Sequence, residues 1–138
     1  MKRIFLDANV LFTAAHNPSG KAALLIELAE SGCWQLMTSE LACEEARRNI
    51  RLKFPECLSK IEEICGGIHI VSHVHEMDCS LELPEKDRPI FLAAVHGRAT
   101  HLLTGDLAHF GPFMNKASET EHILIQTVSD FFSSIISG

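Results

Sequence analysis

No apolar run in this chain approaches the roughly 20 residues that a membrane-spanning helix needs. The apolar start is cut off at Asp7, too soon for a secretory signal. Cysteines are few and unpaired in pattern: Cys33, Cys43, Cys57, Cys65 and Cys79 make an odd set with no CxxC spacing. They read as buried thiols in a reducing compartment, which excludes a disulfide framework. Cations are outnumbered, 12 Lys and Arg against 18 Asp and Glu, so the net charge is −6. No global basic field therefore draws the chain to nucleic acid or anionic lipid, and any such contact must use local patches and a metal. Internal repeats and low-complexity linkers are absent too, which leaves one domain over residues 1–138. With 46% apolar and 22% charged residues the composition is that of a folded globule. The expectation is a soluble, cytoplasmic protein without a membrane segment.

What is there begins with Ile4-Phe5-Leu6, a short apolar run that stops at a carboxylate, Asp7. The remaining pattern alternates helix and strand. Residues 9–15 predict a short helix ended by Asn17-Pro18, and Ser19 is a candidate cap for a helix over 21–30 that Gly32 stops. A strand over 34–37 leads through Thr38-Ser39, a capping pair, into a long helix over 40–53. Pro55 suits the first turn of another helix, running to Gly66-Gly67. A β-branched strand follows at 68–71, then a polar, irregular stretch over 72–85. Asp87 precedes a helix over 88–95, and residues 101–104 form a fourth strand that runs into Gly105-Asp106. A Gly- and Phe-containing loop, a strand at 122–126 and a helix over 128–136 complete the chain. Strands alternating with helices imply a mainly parallel five-stranded sheet covered on both faces, a three-layer α/β/α sandwich.

In such a sheet chemistry collects where strands end. Asp7 and Asp106 each follow an apolar strand directly, so adjacent parallel strands bring both carboxylates to one edge. Asp87 sits at a helix start, where it could serve as a plain cap. Beside two converging acids it reads as a third member of the cluster. On the long helix, Leu41, Ala42, Glu45, Arg48, Asn49 and Leu52 share a stripe, and Glu45 is the acid on that mostly apolar face. A buried acid is costly unless paired or metal-bound, so Glu45 is the fourth candidate, with Glu44 in reserve. Four carboxylates together raise one another's pKa values, and a hard divalent cation, Mg²⁺ or Mn²⁺, resolves the conflict. Such ions activate water for in-line attack at phosphorus, so phosphodiester hydrolysis is the reaction this set serves.

The motifs Leu6-Asp7-Ala8-Asn9-Val10-Leu11, Thr38-Ser39 leading to Glu45-Ala46-Arg47-Arg48-Asn49, Asp87-Arg88-Pro89-Ile90, and Leu103-Thr104-Gly105-Asp106 with Phe110 occur in series. Together they resemble the PIN domain family, and within it the VapC-like metal-dependent ribonucleases. The resemblance covers essentially the whole chain. It implies an α/β/α sandwich with Mg²⁺- or Mn²⁺-dependent activity on single-stranded RNA. Asp7, Glu45, Asp87 and Asp106 would be the catalytic and metal-holding acids. Asn9 would brace the Asp7 turn, and Thr104 would support Asp106 or a bound water. A small antitoxin protein and a second copy of the chain are the partners the family implies. One departure is that many members carry a further acid just after the strand-four Asp, where this chain has Leu107-Ala108-His109.

Arg47, Arg48, Arg51 and Lys53 form a basic patch beside Glu45, readable as RNA phosphate contacts or as a solvated face with Glu44–Arg48 pairing. His73-Val74-His75-Glu76-Met77-Asp78-Cys79 has metal-binding residue types without zinc-site spacing. His109 reads as a loop histidine, and Phe110 and Phe113 as residues that pack the loop rather than stack on bases. Two rival readings are a haloacid-dehalogenase-type phosphatase and a non-catalytic PIN domain that binds RNA or protein. The first needs an acid two residues after Asp7, where Asn9 stands; the second would be favoured by a missing core acid, and all four are present.

Overall fold

Parallel strands hidden on both faces need near-continuous apolar runs, and β1 (Arg3–Leu6) supplies one in which Ile4, Phe5 and Leu6 are fully buried. The computed structural model describes residues 1–72 and 79–137. Within them the chain runs from β1 through α1 (Ala8–His16) and α2 (Lys21–Glu30) to β2 (Gln35–Ser39), then α3 (Glu40–Lys53), α4 (Leu58–Gly66) and β3 (His69–Val71). It continues with α5 (Arg88–His96), β4 (His101–Leu103), α6 (Leu107–Phe110), β5 (Leu124–Gln126) and α7 (Val128–Ser137). The five strands form one parallel sheet in the order β3-β2-β1-β4-β5, with Ile4 opposite both Leu36 and His101.

That order carries the argument for the site. The chain steps outward from β1 to β2 and β3, then crosses back to lay β4 on the other side of β1. The strand order thus reverses between β1 and β4, and the crevice beyond their carboxyl ends is where open α/β sheets bind ligands. Right-handed crossovers of opposite direction put their helices on opposite faces. Accordingly α1 packs against α2, α3 and α4, whereas α5 lies across β2, β3 and β4. The close of α5 is tight: a Cβ on Gly97 would sit 2.7 Å from Met37 Sδ and 2.9 Å from Val71 Cγ2. Trp34, 8% exposed, sets its ring edge-on against Phe131 of α7, which also meets His101.

Several expectations need correction. Ser19 does not cap α2; it lies in the preceding turn, and Gly20 holds the cap position with no side-chain bond. Trp34 lies just outside β2, whose pairing with β1 starts at Gln35, and its indole N–H donates to Leu25 O at 3.1 Å. Pro55 opens a single 3₁₀ turn, and the regular helix begins only at Leu58. His122 and Glu121 adopt φ of 65° and 53°, left-handed values no strand permits, so β5 starts at Leu124. The stretch after Asp106 is a short helix rather than a loop. The stripe assigned to α3 is rotated: its buried residues are Ala42, Cys43, Ala46 and Ile50, while Leu41 and Leu52 are 48% and 75% exposed. Glu45 therefore lies on an open face, and the cost of a buried acid is not what marks it. The histidine-rich run at 73–78 lies outside the described residues. Among the described residues no helix is long and apolar enough to cross a membrane.

Candidate metal centre

Asp7 leaves β1 in extended geometry (φ −74°, ψ 163°) and becomes the N-cap of α1, its Oδ1 accepting the Ala8 N–H at 2.7 Å. Its other oxygen, Oδ2, accepts the Thr104 hydroxyl proton at 2.8 Å, and Asn9 Nδ2 lies 3.5 Å away. Thr104 Oγ1 in turn accepts the Asp106 N–H at 3.0 Å. Asn9 spans the same gap, donating to Thr104 Oγ1 at 3.3 Å and accepting the Gly105 N–H at 2.7 Å. These bonds tie the ends of β1 and β4 into one unit, so the two strand-end acids are fixed relative to each other.

Asp87 sits at the N-cap position of α5, yet its side chain makes no capping bond. The simple explanation of an acid at a helix start is therefore not taken up. Instead the carboxylate turns toward α6, where His109 stands one turn after Asp106. His109 Nδ1 lies 2.8 Å from Asp106 Oδ2 and 2.9 Å from Asp87 Oδ2. One ring nitrogen carries at most one proton, so Nδ1 can donate to only one of these two oxygens at a time. Asp87 Oδ2 is left buried without a hydrogen bond. Asp106 Oδ1 is occupied separately, accepting the His109 N–H at 3.2 Å as the cap of α6.

The electrostatics follow from crowding acids out of water. Burial pushes the Asp7 carboxyl up to about 6; the Thr104 and Ala8 bonds resist the rise, and the charges of Glu45 and Asp87 add to it. Burial also raises Asp87, with Asp106 pushing the same way and His109 opposing. A cation would reverse both shifts. Asp87, Asp106 and His109 bring ligand atoms within 4.8 Å of one another. Hard carboxylate oxygens, one of them an orphan, match what Mg²⁺ or Mn²⁺ requires. The residues present fit a divalent ion.

A cleft of about 280 Å³ opens above these groups. Asp7, Asn9, Asp87 and Asp106 line it from one side, Glu44, Glu45 and Arg48 of α3 from the other, and Lys86 at the mouth of α5. Both glutamates reach the cleft, and Glu45 is the one whose charge Asp7 feels. The basic patch divides. Arg48 lines the cleft; Arg47 is engaged by Glu40 at 3.2 Å and Glu62 at 2.6 Å; Lys53 lies over the Phe12 ring; Arg51 is exposed elsewhere on α3. Among the described residues no ion pair joins Glu44 to Arg48. Phe110 is fully buried and Phe113 packs on the core. Two residues differ from the sequence expectation: Lys86, which lines the cleft, had no role there, and His109, read as a loop histidine, lies on α6 against Asp87 and Asp106. Lys86 had adjacency to Asp87 as its signal, and His109 had its one-turn spacing from Asp106.

The strand order reverses between two acid-bearing strands, and a third acid and an imidazole close on them, so this is an α/β protein with an acidic cluster at the carboxyl edge of its sheet. The family model for the PIN domain matches residues 3–108, and the chain belongs to that family. Its members are typically nucleases and generally use divalent metals. No curated protein matches the chain. Among solved structures, a chain of "Crystal structure of VapBC2 from Rickettsia felis bound to a DNA fragment from their promoter" is similar at a TM-score of 0.64 and 14% identity, covering 91% of this chain and 98% of that one.

Proposed function

We propose that the chain is a divalent-metal-dependent ribonuclease that hydrolyses phosphodiester bonds of single-stranded RNA in the cytoplasm. The observation that carries this is the orphaned, buried Oδ2 of Asp87, facing Asp106 beside a raised Asp7. Asp7, Asp87 and Asp106 would hold Mg²⁺ or Mn²⁺, with Glu45 reaching in from α3 and Glu44 as the neighbouring alternative. Such an ion supplies a water activated for in-line attack and charge for the leaving oxygen.

The protein's own groups do the rest. The Thr104 hydroxyl and the Ala8 amide hold the Asp7 carboxylate in one orientation, which is the outer-sphere support a ligand needs. Asn9 keeps the Gly105 turn against β1, so Asp106 stays in range. The His109 ring stands between Asp87 and Asp106, its Nδ1 within 2.9 Å of a carboxylate oxygen of each. Arg48 and Lys86 flank the cleft and supply cations for the phosphates of a bound strand. Arg47 has two glutamate partners and is a poorer candidate for that contact. A phosphatase of the haloacid-dehalogenase type is disfavoured because Asn9, where that chemistry wants an acid, is committed to Gly105 and Thr104.

A small antitoxin-type protein and a second copy of this chain are the proposed partners, supported by the two-component assembly that the similar VapBC2 structure names. The test of function is cleavage of a labelled single-stranded RNA pool with Mn²⁺, Mg²⁺ or EDTA, wild type beside Asp7→Asn. Cutting that needs metal and vanishes in the variant supports the assignment. Cutting that survives the substitution refutes it.

A further inference from the structure

A second groove, about 500 Å³ in volume, adjoins the acid cleft and has no part in the reading above. Asn9 lines both hollows, and Thr104 and Gly105, to which Asn9 hydrogen-bonds, line the groove. Gly105 keeps the groove wall low: a Cβ there would already be 3.3 Å from Asn9 Oδ1. Beyond it the character of the surface changes. The cleft is ringed by Asp7, Glu44, Glu45, Asp87 and Asp106, whereas not one carboxylate lines the groove, in a chain of net charge −6.

The groove does hold a cation. Lys21 stands at the start of α2, its ammonium 3.5 Å from Ser129 Oγ, and among the described residues it has no acidic partner. Thr127 Oγ1 accepts the Asp130 N–H at 3.0 Å, which leaves its own O–H proton free to donate. Two helices, α2 and α7, also begin in this wall, and α2 starts with no side-chain cap on its first amides. Amides, hydroxyls and one uncompensated ammonium are donors without acceptors of negative charge. A phosphate is the group that uses all of them.

We infer that this groove is a phosphate subsite, taking the backbone phosphate next to the scissile one as the strand runs over the Asn9–Gly105 wall, with Lys21 as its cation. This rests on the ribonuclease reading, and it explains how an acidic protein holds an anionic strand. Cations at the cleft grip the cut phosphate, and the groove grips its neighbour.

The test reads binding apart from cleavage. A labelled ten-nucleotide single-stranded RNA is titrated, in EDTA and at several salt concentrations, onto Asp106→Asn protein, in which Asn can still cap α6. Lys21→Gln is added to that background, with Lys116→Gln as the control. Each phosphate contact on a single strand contributes about 0.7 to the slope of log affinity against log salt. Loss of one such contact should lower the slope by about that amount and weaken low-salt binding on the order of fivefold. Lys116→Gln should change neither. In otherwise wild-type protein with Mn²⁺, Lys21→Gln should raise KM for the ten-mer and leave cleavage of a dinucleotide unchanged. An unaltered slope overturns the subsite, as does an equal loss on the dinucleotide. RNA bound but never cut by the metal-loaded wild type would refute the nuclease reading while leaving the slope to judge the groove.

Discussion

Asp7→Asn should stabilise the metal-free protein at neutral pH. Asp7 is 5% exposed, and burial lifts its carboxyl from 3.8 to about 6. Between those two values the folded chain binds more protons than the unfolded one, so stability falls as pH rises through that window and stays low above it. At about 1.4 kcal/mol per pKa unit, the charged carboxylate costs roughly 3 kcal/mol at pH 7.5. Asparagine removes the charge and can still accept the Ala8 N–H, but it loses the acceptor for the Thr104 hydroxyl, a loss of about 1 kcal/mol. The variant should therefore exceed wild type by roughly 2 kcal/mol at pH 7.5, by less at pH 5, and by nothing at pH 4. Urea denaturation in EDTA, followed by the fluorescence of the single tryptophan, Trp34, reads this directly. With Mn²⁺ at a hundred times its Kd the order should reverse, since wild type alone gains about 2.7 kcal/mol. A variant less stable than wild type at pH 7.5 in EDTA, or a gap that ignores pH, would refute the reasoning.

Asp106→Asn should keep the α6 cap and the fold, by circular dichroism, yet lose at least a hundredfold in Mn²⁺-dependent RNA cleavage. Glu45→Gln should weaken Mn²⁺ binding, measured by calorimetry, more than Glu44→Gln does, because Asp7 feels the Glu45 charge. Thr104→Val, at a fully buried site, removes the donor to Asp7 and the acceptor for the Asp106 amide. It should cost about 1–3 kcal/mol in urea denaturation and about 10–100-fold in metal affinity. His109→Ala leaves Asp87 and Asp106 facing each other without the imidazole. The metal-free melting temperature should fall, and the rise on adding Mn²⁺ should exceed that of wild type.

The sheet was legible because its evidence is local. A buried parallel strand announces itself as an apolar run, and the runs ending at Leu6 and Leu103 carry their acids with them. Ser39 as the cap of α3, and both ends of that helix, were readable for the same reason. The face of α3 was not. Its apolar residues are few and small, so which of Leu41 or Ala46 turns inward depends on where α1 and α4 lie. The short helix after Asp106 was missed because its cap is Asp106 itself, a residue already assigned a different task. Strand ends at 122 and 34 were overrun because a left-handed backbone at His122 and the point where pairing with β1 begins, Gln35, leave no trace in hydropathy.

His109 ties these observations together. If the three acids hold a cation as proposed, the cluster must also survive folding without one, and each buried charge works against that. Asp7 answers with three donors fixed by the β1–β4 junction. Asp106 is half satisfied by the helix it caps. Asp87 has neither; the His109 ring lies 2.9 Å from its buried oxygen, and Lys86 also opposes the rise of its carboxyl. The histidine thus stands one turn after Asp106 with its Nδ1 beside both acids, 2.8 Å from Asp106 Oδ2 and 2.9 Å from Asp87 Oδ2. A fourth carboxylate there would leave the metal-free fold with four mutually repelling charges. An imidazole adds no fixed negative charge there, and one of its ring nitrogens is among the three ligand atoms that a divalent ion could use.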